Sequence, residues 1–223
     1  MGLLRDFIKK ITHPFLRKGA EFYYRKPRSY SYNGITTIVH PDVFPPHLTL
    51  STKILLDFMS DIDLTQKTFL ELGCGSGIIS LYASQKRATV TASDINKTAL
   101  AYLQKASTEN KLPVTCVYSN LFEALQEKHF DYIFINPPYY PKAPESTKQH
   151  AWFCGEEFEY FEALFKQLPI YLSEENTTYM ILSEDCELEK IESIASKNDI
   201  VMKTIFTTKK VGEKNYIFAI SQK

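Results

Sequence analysis

Two stretches hold residue types at spacings that could do chemistry. The first, FDYIFINPPYYP at residues 130–141, ends an apolar run on Asn136, Pro137, Pro138 and Tyr139. Proline cannot donate to a sheet ladder, so a buried strand must stop there. A planar amide or exocyclic amine is a poor nucleophile, because its nitrogen lone pair is delocalised. Two acceptors in its plane, the Asn136 side-chain oxygen and the Pro137 carbonyl, can hold its N–H groups and aim the nitrogen, while Tyr139 offers a flat stacking face. Paired prolines lock the backbone and bring no competing donor. PPYY also fits a proline-rich ligand pattern, but such ligands sit in exposed tails rather than behind an apolar strand.

The second stretch is FLELGCGSG, residues 69–77, with Gly73, Gly75 and Gly77 between a strand and a helix. Glycine permits a tight turn and lets a ligand lie against bare backbone, and the helix that follows presents unpaired N–H groups. A dinucleotide fingerprint would need glycine at 78, where the residue is Ile78. Seventeen residues past Gly77, TASDIN places Asp94 at the carboxyl end of the next strand. Open sheets bind ligands there, and a carboxylate can accept from both hydroxyls of a ribose; a helix N-cap is the plainer use of the same residue. After the third strand, VYSNLFEAL holds Asn120, whose amide oxygen can accept a hydrogen bond, followed by Leu121.

The elements that must position these residues follow from the apolar pattern. Strands are predicted at Thr68 to Leu72, Thr89 to Ser93, Val114 to Tyr118, Phe130 to Ile135 and Thr178 to Leu182. Helical patterns fall between them at Gly77 to Gln85, Asn96 to Asn110, Phe158 to Leu172 and Glu187 to Ser196. Such alternation is the signature of a parallel sheet flanked by helices. IVMKTIFTTKK and NYIFAIS, joined through turn residues around Gly212, read as a terminal antiparallel hairpin. Upstream, residues 1 to 30 suggest one or two helices broken at His13-Pro14, then a tyrosine-rich stretch, YYRKPRSYSYNG, and a helix near Ser51 to Met59. Residues 1–40 are thus expected to form a basic helical cap segment on a catalytic domain spanning 41–223.

Composition narrows the class. Hydrophobic residues make up 44% and charged residues 23% of the 223, which is ordinary for a globular chain. A chain of this length buries roughly 70% of the surface its unfolded form exposes. No run approaches the ~20 apolar residues that span a bilayer, and the first residues lack a leader's apolar core, so a cytoplasmic protein without membrane partners is expected. Cys74, Cys116, Cys154 and Cys186 form no C-x-x-C pair, which points to reduced core thiols and no metal site. Lys plus Arg equals Asp plus Glu at 26 each, so no global charge favours nucleic acid. The first thirty residues nevertheless hold eight basic residues against two acidic, either a solvated basic helix or a contact with RNA, an acidic protein or the anionic face of the same domain.

VFPPHLTLSTKILL, ELGCGSG, SDIN and FINPPYYP together resemble the amino-directed class I S-adenosylmethionine (SAM) methyltransferases, and more narrowly the HemK-type protein glutamine methyltransferases. The resemblance covers about residues 40 to 221 and implies a Rossmann-like α/β fold: a seven-stranded, mostly parallel sheet with a C-terminal antiparallel hairpin. It implies SAM as cofactor, held by Glu71 near the methionine end, Gly73, Gly75 and Gly77 in the loop, Asp94 on the ribose, Asn120 and Leu121 at the adenine, and Asn136 near the methyl group. Asn136, Pro137, Pro138 and Tyr139 would carry the acceptor. HAWFCGEEFEYFEALFKQLPIYL looks like the segment and helix that follow in that family. Three features depart from its pattern: two extra residues between Pro46 and Thr52, Asn120 in place of aspartate, and Glu156-Glu157 where glycine is common. The acceptor implied is the side-chain amide of a glutamine in a protein. An adenine amino group in RNA or DNA, and a SAM-binding chain without catalysis, are the other readings. Carbon methylation of a pyrimidine would need a cysteine nucleophile beside Asn136, where none stands.

Overall fold

The computed structural model describes residues 25–47, 49–125 and 129–223. The helices expected over residues 1 to 30 therefore lie, up to residue 24, outside the described residues. The first described elements are two strands, β1 (Arg28–Tyr32) and β2 (Ile35–Val39), paired antiparallel. Asn33 and Gly34 join them with φ values of 46° and 81°. That is the type I′ turn an Asn-Gly pair forms without strain. The tyrosine-rich stretch is thus a hairpin, an element not anticipated above.

Helix α1 (Leu50–Met59) leads into β3 (Thr68–Leu72), followed by α2 (Ile78–Gln85), β4 (Thr89–Asp94), α3 (Lys97–Asn110), β5 (Thr115–Tyr118) and β6 (Tyr132–Ile135). Helix α4 (Glu159–Gln167), β7 (Thr177–Ser183), α5 (Leu188–Lys197), β8 (Ile200–Lys210) and β9 (Glu213–Gln222) complete the order. Strands β3 to β9 form one sheet in the order β5-β4-β3-β6-β7-β9-β8. The pairings from β5 to β7 are parallel, and β9 runs antiparallel to both β7 and β8. The expected sheet, mostly parallel with a closing hairpin, is the one observed.

Period-two alternation explains why the strands are apolar on both faces. Phe69 and Phe134 point into one buried cluster with Leu55, Ile79 and Leu103 from α1, α2 and α3. Their neighbours Leu70, Ile133 and Ile135 point into a second cluster with Phe161 of α4 and Ile191 of α5. Each such side chain, fully buried, contributes roughly 1.5–3 kcal/mol. The hairpin β1–β2 joins the first cluster through Ile35. It is tied to α3 by Asn110, whose Oδ1 accepts from Thr36 N–H at 3.0 Å, and to the loop before α2 by Thr37 Oγ1 donating to Ser76 O at 3.1 Å.

Two boundaries differ from expectation for identifiable reasons. Strand β6 begins at Tyr132 rather than Phe130, because the Asp131 N–H donates to Thr68 Oγ1 at 2.8 Å instead of to the ladder. Helix α4 stops at Gln167 and tightens into a 3₁₀ turn at Leu168–Tyr171, where Pro169 has no N–H to continue it. Among the described residues no helix is long and apolar enough to cross a membrane.

Candidate active site

The site lies where the strand order reverses, between β3 and β6. Ligands of open α/β sheets bind at such a switch point, beyond the carboxyl ends of the strands. Register brings the chemistry together: Leu72 pairs with Ser93 on one side and with Ile135 on the other. The residues one step further on, Gly73, Asp94 and Asn136, therefore emerge side by side. All three line a single cleft, together with Glu71, Gly75, Asn120, Leu121 and Pro138.

The glycines do different jobs. Gly73, with φ 74°, faces open space, for a Cβ there would meet nothing within 4 Å. Gly77, with φ 70°, is the N-cap of α2, and a Cβ there would strike the Leu103 side chain on α3. Gly77 is a packing glycine and does not line the cleft. The loop amides are already engaged within the protein. Gly73 and Cys74 both donate to Ser93 O at 2.9 Å, and Gly75 N–H donates to Asp94 Oδ2 at 2.8 Å.

The loop is therefore held in shape by the next strand. Asp94 Oδ1 also accepts from Asn96 N–H at 2.8 Å, while Asn96 itself caps α3 by accepting from Thr98 N–H at 3.0 Å. The capping job that Asp94 could have taken falls to Asn96. Burial pushes the Asp94 carboxyl upward in pKa, opposed by these amide hydrogen bonds.

Glu71 is 5% exposed and accepts from both the N–H of Ser80, at 2.8 Å, and its hydroxyl. It thus satisfies an amide in the first turn of α2, one of the N–H groups expected to be unpaired. Burial raises its pKa to about 8 against those hydrogen bonds, with the charge of Asp94 adding to the rise. Asn120 is exposed, and its Nδ2 donates to Glu123 Oε1 at 3.0 Å, which leaves the side-chain oxygen turned elsewhere.

Asn136 has no side-chain hydrogen-bond partner among the described residues. Pro137 is buried and does not line the cleft. Tyr139 does not line it either; its ring lies 4.7 Å from that of Tyr140, in an adjoining depression. The expected stacking face thus stands beside the cleft rather than in it. Residues given no role in the sequence analysis line it too, among them Phe44, Thr52, Thr147, His150 and Tyr160. Their segments were visible as family-like stretches around Pro46 and His150, but nothing in their spacing pointed inward.

A family profile described as "Methyltransferase small domain" matches residues 34–220. A Methanocaldococcus jannaschii protein provisionally named a protein N5-glutamine methyltransferase is 29% identical over 177 residues, 75% of this chain and 87% of that one. The ribosomal RNA small subunit methyltransferase C of Haemophilus ducreyi is 31% identical over 116 residues, 51% of this chain. That match spans only 35% of the H. ducreyi protein's length. Among solved structures, a T. thermophilus 16S rRNA methyltransferase in complex with AdoMet and guanosine superposes with a TM-score of 0.62 at 20% identity. The superposition covers 88% of this chain and 50% of that one, a likeness of fold.

Proposed function

This chain belongs to the methyltransferase small domain family, and on that premise we propose that it moves a methyl group from SAM to the side-chain amide nitrogen of a glutamine in a protein. It is a SAM-dependent methyltransferase. The cleft fits the cofactor. Ser93 Oγ is buried, lines the cleft and has no partner among the described residues, and Gly73 leaves backbone bare.

The Asp94 carboxylate lines the cleft at the end of β4 and would accept from the ribose hydroxyls. Asn120 would accept from the adenine amino group through its free oxygen, with Leu121 supplying backbone. Gly77 shapes the loop by packing. Glu71 fixes the first turn of α2 at the methionine end. When bound, SAM supplies a sulfonium methyl: the C–S bond breaks as the nitrogen lone pair forms the new C–N bond, and the surplus proton leaves to solvent.

One observation carries the assignment, the unpartnered Asn136 amide at the end of β6. Its amide lies open to the cleft, uncommitted to any group of the protein among the described residues, and so is available to a ligand. Its oxygen would accept from an N–H group of a flat NH2 and aim the nitrogen, and Pro138 would wall the position. A glutamine acceptor is supported by the M. jannaschii relative, whose likeness runs through three-quarters of this chain. The alternative, methylation of an adenine amino group in RNA or DNA, draws on ribosomal RNA methyltransferase C relatives, whose likeness covers between half and 71% of this chain. Incubation with methyl-labelled SAM and a cell extract separates the two. We expect label that survives nuclease and is lost to protease; label lost to nuclease would overturn the glutamine reading.

A further inference from the structure

Beside the cleft lies a second depression, lined by Thr49, Tyr139, Tyr140, Trp152, Val211 and Asn215. The two share a wall. Phe44 of the cleft packs 4.9 Å from the Trp152 ring of the depression, and Pro138 of the cleft is followed directly by Tyr139. A group held at Asn136 would thus have its attached chain at the mouth of this depression.

Two independent features mark it as a built surface. Asn215 is 2% exposed, yet its Nδ2 has no hydrogen-bond partner among the described residues, and neither has Thr49 Oγ1. Buried donors left unpaired are rare and call for a ligand or a water. Val211 is 93% exposed and has φ 52°, a left-handed conformation that a β-branched residue rarely adopts. It occupies the first central position of the β8–β9 turn, before Gly212 at φ 81°, where the first hairpin has the unstrained Asn33. An exposed apolar residue kept at a strained position points to contact with something outside the chain.

We infer that this depression receives the segment flanking the acceptor glutamine of a protein substrate, its backbone carbonyl accepting from Asn215 Nδ2 and an apolar side chain lying against Val211 and Trp152. The inference rests on the glutamine reading. It is tested with the full chain, methyl-labelled SAM and two probes: a proteolytic digest of total cell protein and total cell RNA.

The wild type labels the digest. Val211→Asp and Asn215→Ala each lower the initial rate on dilute digest about tenfold through KM, with kcat and SAM affinity within about twofold of wild type, while Val211→Ile keeps the wild-type rate. Because Val211 is exposed, its variants fold even where Asn215→Ala does not. Equal labelling of the digest by wild type and Val211→Asp would overturn this inference and leave the glutamine reading intact. Label confined to RNA, or present in neither probe, would overturn both.

Discussion

The cofactor cleft and the adjoining depression share a wall and are built in opposite ways. In the cleft the polar groups mostly satisfy one another: Gly75 N–H on Asp94, Ser80 on Glu71, Asn96 on the first turn of α3. Its shape is set by three strand ends in register. The depression instead joins segments from near residue 50, residues 139–152 and residues 211–215, and it keeps donors and an apolar tip unpartnered. A site for one invariant small molecule can be preorganised by its own hydrogen bonds. A site for part of a macromolecule leaves its groups open until that partner arrives.

The contrast is broken most strongly by removing the residue that organises the cleft. Asp94→Ala takes away the anchors of Gly75 and Asn96 as well as the ribose acceptor. SAM affinity should fall about 10- to 100-fold, since hydrogen bonds to a charged group contribute roughly 1.5–3 kcal/mol; calorimetric titration reads it. The two outer glycines sharpen the division within the loop. Gly77→Ala should lower stability by about 1–3 kcal/mol, because a methyl there meets Leu103 in a packed core. Gly73→Ala has only its positive φ against it, about 1 kcal/mol, but it should weaken SAM binding more than Gly77→Ala does. Denaturant unfolding and titration on both variants check the crossover.

Glu71 gives a pH dependence. Its folded-state pKa, about 8, lies above the ordinary glutamate value near 4.5. The stability it contributes is therefore full below about pH 4.5 and is lost as pH rises towards 8. The melting temperature of the ligand-free protein should fall more steeply over that window than that of Glu71→Gln. Parallel curves would show that the carboxyl is ionised throughout.

The same contrast explains what could be read in advance. The glycine loop and Asp94 sit at fixed distances from strand ends, so local spacing and the parallel pattern were enough to bring them together. Asn136 was legible because prolines mark where its strand stops. The separate work of Gly77 was not, since it depends on Leu103 from another helix. Tyr139 was read as a face of the cleft because it adjoins Pro138, but chain direction turns it into the next depression. Trp152, Val211 and Asn215 share no spacing rule, and only the closing of the sheet by β9 makes them neighbours. The first hairpin is a different miss: Asn33-Gly34 is a strong local turn signal that the surrounding tyrosines and basic residues obscured.

The acceptor role of Asn136 is tested most directly by single-turnover transfer and SAM titration on Asn136→Ala. SAM affinity within about threefold of wild type, with transfer slowed about 100- to 1,000-fold, is the expected result, as for other lost oriented dipoles. Transfer within a few-fold of wild type would contradict it.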